Sequence, residues 1–318
     1  MDLADSPKTS TSKRILIFSF KVLLITVVFY FIYLQLRNNW DDIRTYDWHI
    51  NSIGLLLLSI LLALSSQYVF SAAWSYILRG FGHEITHMVA FRISYLSSLS
   101  RYVPGKVWQL FSIIYIARQH GLSAEKTTAS FIISQLFMTV TAFLILAISA
   151  QIDPAIIIDQ IALLGKGSAY LFTAGMVVMS LIVLVWPNQI LAVANFFLKR
   201  FSRPQLSFSI DKQVALVIFL GYCVGWILYG LAFWMFMKSI VDDFDMSLVS
   251  ATGIFAGSCQ IGYLVLFAPG GIGPRELVMS QMLMPFLPGL APMMAILSRL
   301  WMTLVEMMTT GISLLIKK

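Results

Sequence analysis

APGGIGPRE, residues 268–276, decides the fold of this chain, because it places two prolines, three glycines and an Arg-Glu pair between two long apolar runs. Such residues suit an ordinary membrane helix poorly, since freed backbone groups and charges need partners inside the hydrocarbon region. A second break of similar composition, RYVPGKVW at 101–108, places its Pro-Gly pair 165 residues earlier (269 − 104). The fold therefore has to provide partners for the backbone groups and charges of both breaks.

The composition of the chain is that of a membrane protein. Hydrophobic residues make up 58% of the 318 residues and charged residues only 12%, which excludes an ordinary soluble domain. The apolar runs are long enough to cross a hydrocarbon core of about 30 Å. They lie at 15–36, 53–78, 127–149, 168–186, 214–237, 248–268 and 290–315. Residues 1–14 are polar and are predicted to be a disordered cytoplasmic tail, with 15–316 forming the transmembrane domain.

Lysine and arginine are distributed unequally between the two predicted sides of the membrane. Fourteen lie in loops and flanks on one side: Lys8, Lys13, Arg14, Lys21, Arg79, Arg92, Arg118, Lys126, Lys199, Arg200, Arg203, Lys212, Lys317 and Lys318. Four lie on the other: Arg37, Arg44, Lys166 and Lys238. The positive-inside rule therefore predicts that both termini are cytoplasmic, and it accounts for the net charge of +7 without nucleic acid as a partner.

The same charge distribution predicts six full crossings and two broken segments in an all-α polytopic membrane protein. The full crossings are 15–36, 53–78, 127–149, 168–186, 214–237 and 290–315. The broken or re-entrant segments are 80–117, opening from the cytoplasm, and 248–287, opening from the outside. In the alternative layout, 248–268 is a complete span and the short segment after Pro274 also crosses, which gives eight spans.

A shift of 165 residues aligns the two halves of the chain. It places Pro104 and Gly105 on Pro269 and Gly270, 53–78 on 214–237, and 127–149 on 292–314. The paired runs point in opposite directions by the charge count. This pattern is typical of an inverted-topology repeat, in which broken helices face each other near the bilayer midplane. Few residues are identical across the shift, so the prediction rests on position.

Both breaks are candidate anion sites. A helix that begins after such a break presents free N–H groups and the positive end of its dipole. Lys106 and Arg275 lie close to those positions, and Gly270, Gly271 and Gly273 allow a close backbone approach. The membrane-borne anion that fits this chemistry is the head group of a phospholipid or a polyprenyl phosphate.

A structural interpretation of the same residues stays open. Proline-glycine breaks also occur as loop ends between membrane helices, and Arg101 and Lys106 then extend towards the interface. Glu276 then stabilises only a helix N-terminus or a neighbouring cation.

Arg299 and Glu306 lie two turns apart on one face of the last apolar run. Charges at that depth seldom face lipid. We therefore predict that Glu306 neutralises Arg275 and leaves Arg299 for a ligand, the alternative being a purely structural network within the helix. Gln67, Gln109, Gln135, Gln260 and Gln281 either line a cavity or form interhelical hydrogen bonds.

The sequence offers little support for enzyme chemistry. The HEITH string at 83–87 matches the HExxH pattern of zinc proteases, but a short loop without a third ligand makes the match weak. The chain has no Walker loop or GxSxG motif, and its two cysteines, Cys223 and Cys259, lie inside apolar runs. We predict no catalytic residue, no metal and no cofactor.

The motifs YVPGKVW and APGGIGPRE resemble the transmembrane domain of the lysylphosphatidylglycerol synthase/flippase family, over most of 15–315. The PGGIG-x-RE element is the most specific part of the resemblance. In some members this domain accompanies a soluble aminoacyl-transfer domain and is implicated in moving modified phospholipid between leaflets. Since the sequence stops at Lys318, the resemblance implies a stand-alone form without aminoacyl transfer, in the bacterial inner (plasma) membrane.

The resemblance implies translocation of a lipid or a lipid-linked glycan for the cell envelope, with an anionic head group held between the two broken helices. The alternative is an integral-membrane glycosyl or lipid-phosphate transferase with Glu276 or Glu306 as base, or an accessory subunit of an envelope biosynthesis complex. Expected partners are a phospholipid or polyprenyl-phosphate-linked substrate and envelope biosynthesis enzymes. The predicted site comprises Arg101, Lys106, Trp108, Gly270, Gly271, Gly273, Arg275, Glu276, Arg299 and Glu306.

Overall fold

The chain is helical throughout the part that the structure, a computed structural model, describes. The described residues are 26, 30, 32–83, 85–102, 107–156, 167–186, 188, 210–241, 245–265 and 268–316. The helices in chain order are α1 (Trp40–Thr45), α2 (Ile53–Gly80), α3 (His87–Ser98), α4 (Val107–Arg118), α5 (Ala124–Ile152), α6 (Gly167–Val185), α7 (Lys212–Lys238), α8 (Leu248–Leu264), α9 (Pro274–Leu283) and α10 (Ala291–Leu315). Short 3-10 turns occupy Leu99–Tyr102, Pro154–Ile156 and Pro269–Gly271.

Four helices are long and apolar enough to cross a membrane. They are α2, α5, α6 and α7, which confirm the crossings predicted at 53–78, 127–149, 168–186 and 214–237. Helix α10 is also continuous over 25 residues, as predicted for 290–315, and it carries Arg299 and Glu306. The predicted tail at 1–14 and most of the predicted crossing at 15–36 lie outside the described residues.

Serine and threonine N-caps fix where several helices begin. Ser52 Oγ accepts a hydrogen bond from the Leu55 backbone N–H at 3.2 Å, and Ser247 Oγ accepts one from Ser250 at 3.0 Å. A side-chain oxygen in this position satisfies one of the N–H groups that the first helical turn leaves without a partner. Helices α2 and α8 therefore have defined starts.

Both predicted broken segments are broken in the structure. The segment 80–117 contains α3, a 3-10 turn and α4, and 248–287 contains α8, a 3-10 turn and α9; in each case the two helices pack against each other. With ten residues, α9 is roughly 15 Å long, about half of a hydrocarbon core. Helix α9 alone is too short to cross, which favours the six-span layout over the eight-span alternative.

The first helices of the two halves, α2 and α7, pack against each other in antiparallel orientation. Ser66 Oγ donates a hydrogen bond to the Gly225 carbonyl at 2.7 Å, and Ala73 lies further along α2 against Gly221, which is earlier in α7. A Cβ added at Gly225 would lie 2.3 Å from the Phe70 ring, so this glycine allows the two helices to come close. The antiparallel contact agrees with the predicted inversion of the repeat.

Each half also packs its first broken arm on the closing helix of the other half. Helix α3 lies antiparallel to α10, and α8 lies antiparallel to α5. The contacts between α3 or the turn after it and α10 pair Tyr95 with Thr310 and Arg101 with Glu306. Those between α8 and α5 pair Val249 with Ser149 and Gln260 with Thr139. This crossed packing brings the two breaks together at the centre of the protein.

The α2–α7 contact predicts a specific disulfide. In a chain carrying Cys223→Ser and Cys259→Ser, the pair Ala73→Cys and Gly221→Cys will cross-link on mild oxidation, because a Cβ at Gly221 lies 3.2 Å from the Ala73 Cβ, close to disulfide spacing. The measurement is the yield of linked peptide by mass spectrometry. Ala72→Cys paired with Gly221→Cys is the matched control, since position 72 points about 100° around the helix. Equal yields from the two pairs would contradict the packing.

Candidate functional site

A cavity of about 150 Å³ lies between the two halves, where the two breaks meet. The 3-10 turn Leu99–Tyr102 of the first break is adjacent to the turn Pro269–Gly271 of the second. Polar and charged residues from eight helices and the first turn line much of the wall: Gln67, Tyr95, Arg101, Gln109, Gln135, Tyr229, Gln260, Tyr263, Arg275, Arg299 and Glu306. Aromatic side chains complete it: Phe70, Trp226 and Phe255. The cavity is therefore amphipathic.

The glycines of the second break form a tight turn against α8. Gly271 has φ +71°, and a Cβ there would lie 2.8 Å from the Gly262 carbonyl oxygen, so only glycine fits both the backbone and the space. Helix α9 then begins at Pro274, whose ring suits the first helical position. The Gly273 N–H donates to Glu276 Oε2 at 2.6 Å and closes the start of the helix. This turn places Arg275 in the cavity wall.

Arg275 is buried, with 2% of its surface exposed. Its Nη1 donates to the Met302 sulfur at 2.8 Å, and its guanidinium carbon lies 5.4 Å from the centre of the Phe255 ring. Among the described residues, Nε and Nη2 of Arg275 have no hydrogen-bond partner. Buried donors of a charged group are costly to leave unmatched. Arg275 lines the cavity, so the guanidinium that carries these two atoms lies next to the space that an anion would occupy.

The other charged residues of the site form two ion pairs. Arg101 Nη1 lies 3.2 Å from Glu306 Oε1, and Arg299 Nε lies 3.9 Å from Glu276 Oε1. Arg299 Nη1 also donates to the Gly270 carbonyl at 3.1 Å. Arginine can neutralise a buried carboxylate and hydrogen-bond to a carbonyl at the same time. The first pair joins the first broken segment to α10, and the second pair joins α9 to α10.

The predicted pairing of Glu306 with Arg275 is wrong. Glu306 pairs with Arg101, because the crossed packing of α3 on α10 brings the turn after α3 opposite this carboxylate. Arg299 was predicted to be left for a ligand, but it engages Glu276 and Gly270. Among the described residues, Arg275 has no carboxylate within 4 Å. The ligand-facing role predicted for Arg299 thus fits Arg275 better.

The ionised groups at the cavity do not balance. Among the described residues, the lining contains three guanidinium groups, of Arg101, Arg275 and Arg299, and the Glu306 carboxylate. Glu276 does not belong to the described lining, and counting it as the partner of Arg299 leaves a net charge of +1 (3 − 2). Charges in a region of low dielectric interact strongly, so an excess cation attracts an anion. The described part of the site therefore carries a positive charge that can attract an anion.

Some of the remaining predicted site residues line the cavity and others do not. Gly270 and Gly271 line the cavity, and Gly273 lies buried beside it. Trp108 is 49% exposed and contacts Phe111, and it does not belong to the lining of the cavity in the described part of the chain. Lys106 lies outside the described residues.

Four of the five glutamines singled out by the sequence line the cavity, whereas Gln281 is exposed on α9. Sequence reasoning missed the lining aromatics Tyr95, Tyr229 and Phe255. They occur in apolar helices among many aromatic residues, and no sequence pattern separates them from ordinary packing residues.

The HEITH string has a structural role at the start of α3. Thr86 Oγ1 accepts from the Val89 N–H at 3.2 Å and caps the helix, and His87 Nδ1 lies 2.7 Å from Ser75 Oγ. Glu84 lies outside the described residues. Within the described part of the chain, no three His, Cys, Asp or Glu side chains come together in a way that could hold a metal ion.

The Arg101–Glu306 pair predicts a measurable coupling in stability. Arg101→Gln removes the cation facing a carboxylate that is 4% exposed, and Glu306→Gln removes the reverse charge. In a double-mutant cycle, the two changes together will cost less than the sum of the single changes, by about 1–3 kcal/mol. Thermal or SDS-induced unfolding in detergent measures this difference. Strict additivity would show that the pair does not contribute to the contact between α3 and α10.

Long antiparallel helices and two broken segments that meet at a cationic cavity define the class of this protein: it is an integral membrane protein with an internal polar site. The lysylphosphatidylglycerol synthase TM region family matches residues 17–308, so the chain belongs to that family. A search of curated proteins finds no match. Family membership confirms the resemblance carried by YVPGKVW and APGGIGPRE and connects the protein with membrane lipids.

Proposed function

We propose that this protein moves an anionic lipid between the leaflets of the bacterial inner membrane, with both termini in the cytoplasm. The observation that carries the proposal is the buried Arg275 guanidinium, whose Nε and Nη2 have no hydrogen-bond partner among the described residues, in a residue that lines the cavity. A phosphate supplies acceptor oxygens to both donors and offsets the net positive charge.

A lipid fits the cavity better than a soluble anion does. The volume of about 150 Å³ accommodates a head group but not acyl chains, which can stay in the surrounding hydrocarbon. Phe70, Trp226 and Phe255 provide apolar wall beside the arginines. The cavity thus matches a molecule with one polar end and one apolar end.

The barrier to spontaneous lipid exchange is the transfer of a charged head group through hydrocarbon. Three arginines and a lining rich in amide and hydroxyl groups would replace the water that the phosphate loses. Alternating exposure of the two broken segments would open the cavity to one leaflet and then to the other. No nucleotide-binding motif occurs in the sequence, so transport is downhill, ion-coupled or powered by a partner such as an envelope biosynthesis enzyme.

The contacts of the two carboxylates favour binding over group transfer. A transferase needs a carboxylate able to accept a proton from the substrate. Glu276 accepts the Gly273 N–H at the start of α9, and Glu306 pairs with Arg101. Both candidate bases therefore have structural partners.

The test is leaflet exchange in liposomes that contain the purified protein. Acyl-labelled fluorescent phosphatidylglycerol is introduced into both leaflets, and dithionite destroys the label on the outside. We expect the protected fraction to decay in the presence of the protein and to persist in liposomes that hold an unrelated polytopic protein. Protein that accelerates the exchange of no anionic lipid, in a correctly folded preparation, would refute the proposal.

A further inference from the structure

Helix α10 contributes three residues to the cavity wall at intervals of one turn: Arg299, Met302 and Glu306. Residues three and four apart lie on the same face of a helix. Glu306 provides a carboxylate for Arg101 at 3.2 Å, whereas Met302 provides only a thioether for Arg275, whose Nη1 lies 2.8 Å from the sulfur. The same helix face therefore neutralises one arginine of the site and gives another an uncharged partner.

The contact between Met302 and Arg275 orients the guanidinium without matching its charge. A thioether sulfur is a weak hydrogen-bond acceptor, while a bond between an arginine and a carboxylate is about twice as strong as one between neutral groups. Nε and Nη2 of Arg275 have no hydrogen-bond partner among the described residues. The sulfur thus fixes one nitrogen of a planar group whose demand for acceptors stays largely unmet.

Met302 is also able to move. It is half-buried and lines the cavity, as Arg275 does. Methionine is unbranched and has three rotatable side-chain bonds, so its sulfur can change position at small cost. A phosphate oxygen is a much stronger acceptor for a guanidinium than a thioether is. An anion in the cavity can therefore replace the sulfur as the partner of Nη1.

A second sulfur contact between the same two helices provides a comparison. Ser298 Oγ on α10 donates to the Met279 sulfur on α9 at 3.0 Å, and Ser298 also has the Ala295 carbonyl as a partner at 2.7 Å. Met279 is fully buried and does not belong to the described lining of the cavity. This contact joins α9 to α10 without involving Arg275.

We propose that Met302 is a positioning residue whose sulfur holds the Arg275 guanidinium in the lipid-free protein and gives it up to the phosphate of the lipid. The inference rests on the proposed function and identifies a residue that sets the strength of anion binding. A stronger acceptor at position 302 competes with the phosphate. Such an acceptor should stabilise the lipid-free protein and weaken lipid binding, whereas a residue that only packs would not change the two in opposite directions.

The test measures two properties of the purified full-length protein in detergent: its thermal unfolding without added lipid, and its affinity for short-chain phosphatidylglycerol. Met302→Gln introduces an amide oxygen at a similar size, and we expect a higher Tm and about tenfold weaker binding. Met302→Glu introduces a carboxylate and should weaken binding by about a hundredfold. Met302→Leu conserves volume and removes the acceptor. It should bind within about threefold of the unaltered protein, with no gain in Tm.

Met279→Leu is the matched control, because it removes the other sulfur contact between α9 and α10. It should leave the affinity for phosphatidylglycerol within about twofold. If Met302→Glu does not fold, Met302→Gln still decides the question through the opposite signs of its two changes.

The outcomes separate this proposal from the proposed function. Unaltered protein that binds phosphatidylglycerol while Met302→Gln binds it equally well overturns the role of Met302 and leaves lipid translocation standing. The same holds if Met302→Leu loses as much affinity as Met302→Gln, since the sulfur would then not be a competitor of the phosphate. Unaltered protein that neither binds any anionic lipid nor exchanges it between leaflets overturns both proposals.

Discussion

Arg275→Gln will reduce protein-mediated exchange of phosphatidylglycerol between leaflets by about a hundredfold or more. The change removes a buried cation of the cavity lining and two donors that have no hydrogen-bond partner among the described residues. Hydrogen bonds to charged groups contribute about 1.5–3 kcal/mol each, so the loss of two corresponds to at least that factor. The dithionite assay in liposomes measures the rate. Arg275→Lys keeps the charge but not the fork of donors and should give an intermediate rate.

Arg118→Gln is the matched control for this prediction, because Arg118 is exposed at the end of α4. It should leave the exchange rate within about twofold of the unaltered protein, as expected for a surface substitution. Folding of each variant is checked by its elution profile and thermal unfolding in detergent. Arg275→Gln protein that is folded and exchanges lipid at the full rate would remove the main support for the site.

Gly262→Ala is expected to have the second largest effect. A Cβ at this position would lie 2.5 Å from the Arg275 Cβ and 3.2 Å from its Cα, and backbone cannot move aside as a flexible side chain can. We expect a loss of roughly 1–3 kcal/mol in the free energy of unfolding, together with lower lipid exchange, because α9 has to move away from α8. Unfolding in detergent and the liposome assay measure the two effects.

Gly175→Ala provides the comparison for this change. Gly175 lies in α6, and a Cβ there meets no atom within 4 Å. Alanine favours a helix over glycine by up to about 1 kcal/mol, so this variant should be as stable as the original or slightly more stable. If the two variants behaved alike, the close contact between α8 and the second break would not govern stability.

The breaks and the long helices could be predicted from the sequence because their causes are local. Hydropathy marks α2, α5, α6 and α7, and proline with glycine marks the interruptions at 101–108 and 268–276. The close approach of the glycines at the second break also follows from their residue type, as the contact of Gly271 with Gly262 shows.

The ion pairs could not be predicted, because they depend on register between helices far apart in the sequence. Arg101 and Glu306 are 205 positions apart, and they meet only because α3 lies on the closing helix of the other half. From the sequence alone, Glu276 and Glu306 could each pair with more than one arginine. Trp108 shows the same limit: its motif position suggested the site, but the rotation of α4 exposes it.

The crossed packing of α3 on α10 and α8 on α5 makes the two halves mechanically interdependent. If α3 tilts away from the cavity, it has to slide along α10, the closing helix of the second half. If α8 tilts away, it has to slide along α5, the closing helix of the first half. We expect the two broken segments to move together, so that opening the cavity at one segment requires closing it at the other. Such coupled movement would let a polar head group cross without opening a continuous path for ions through the bilayer.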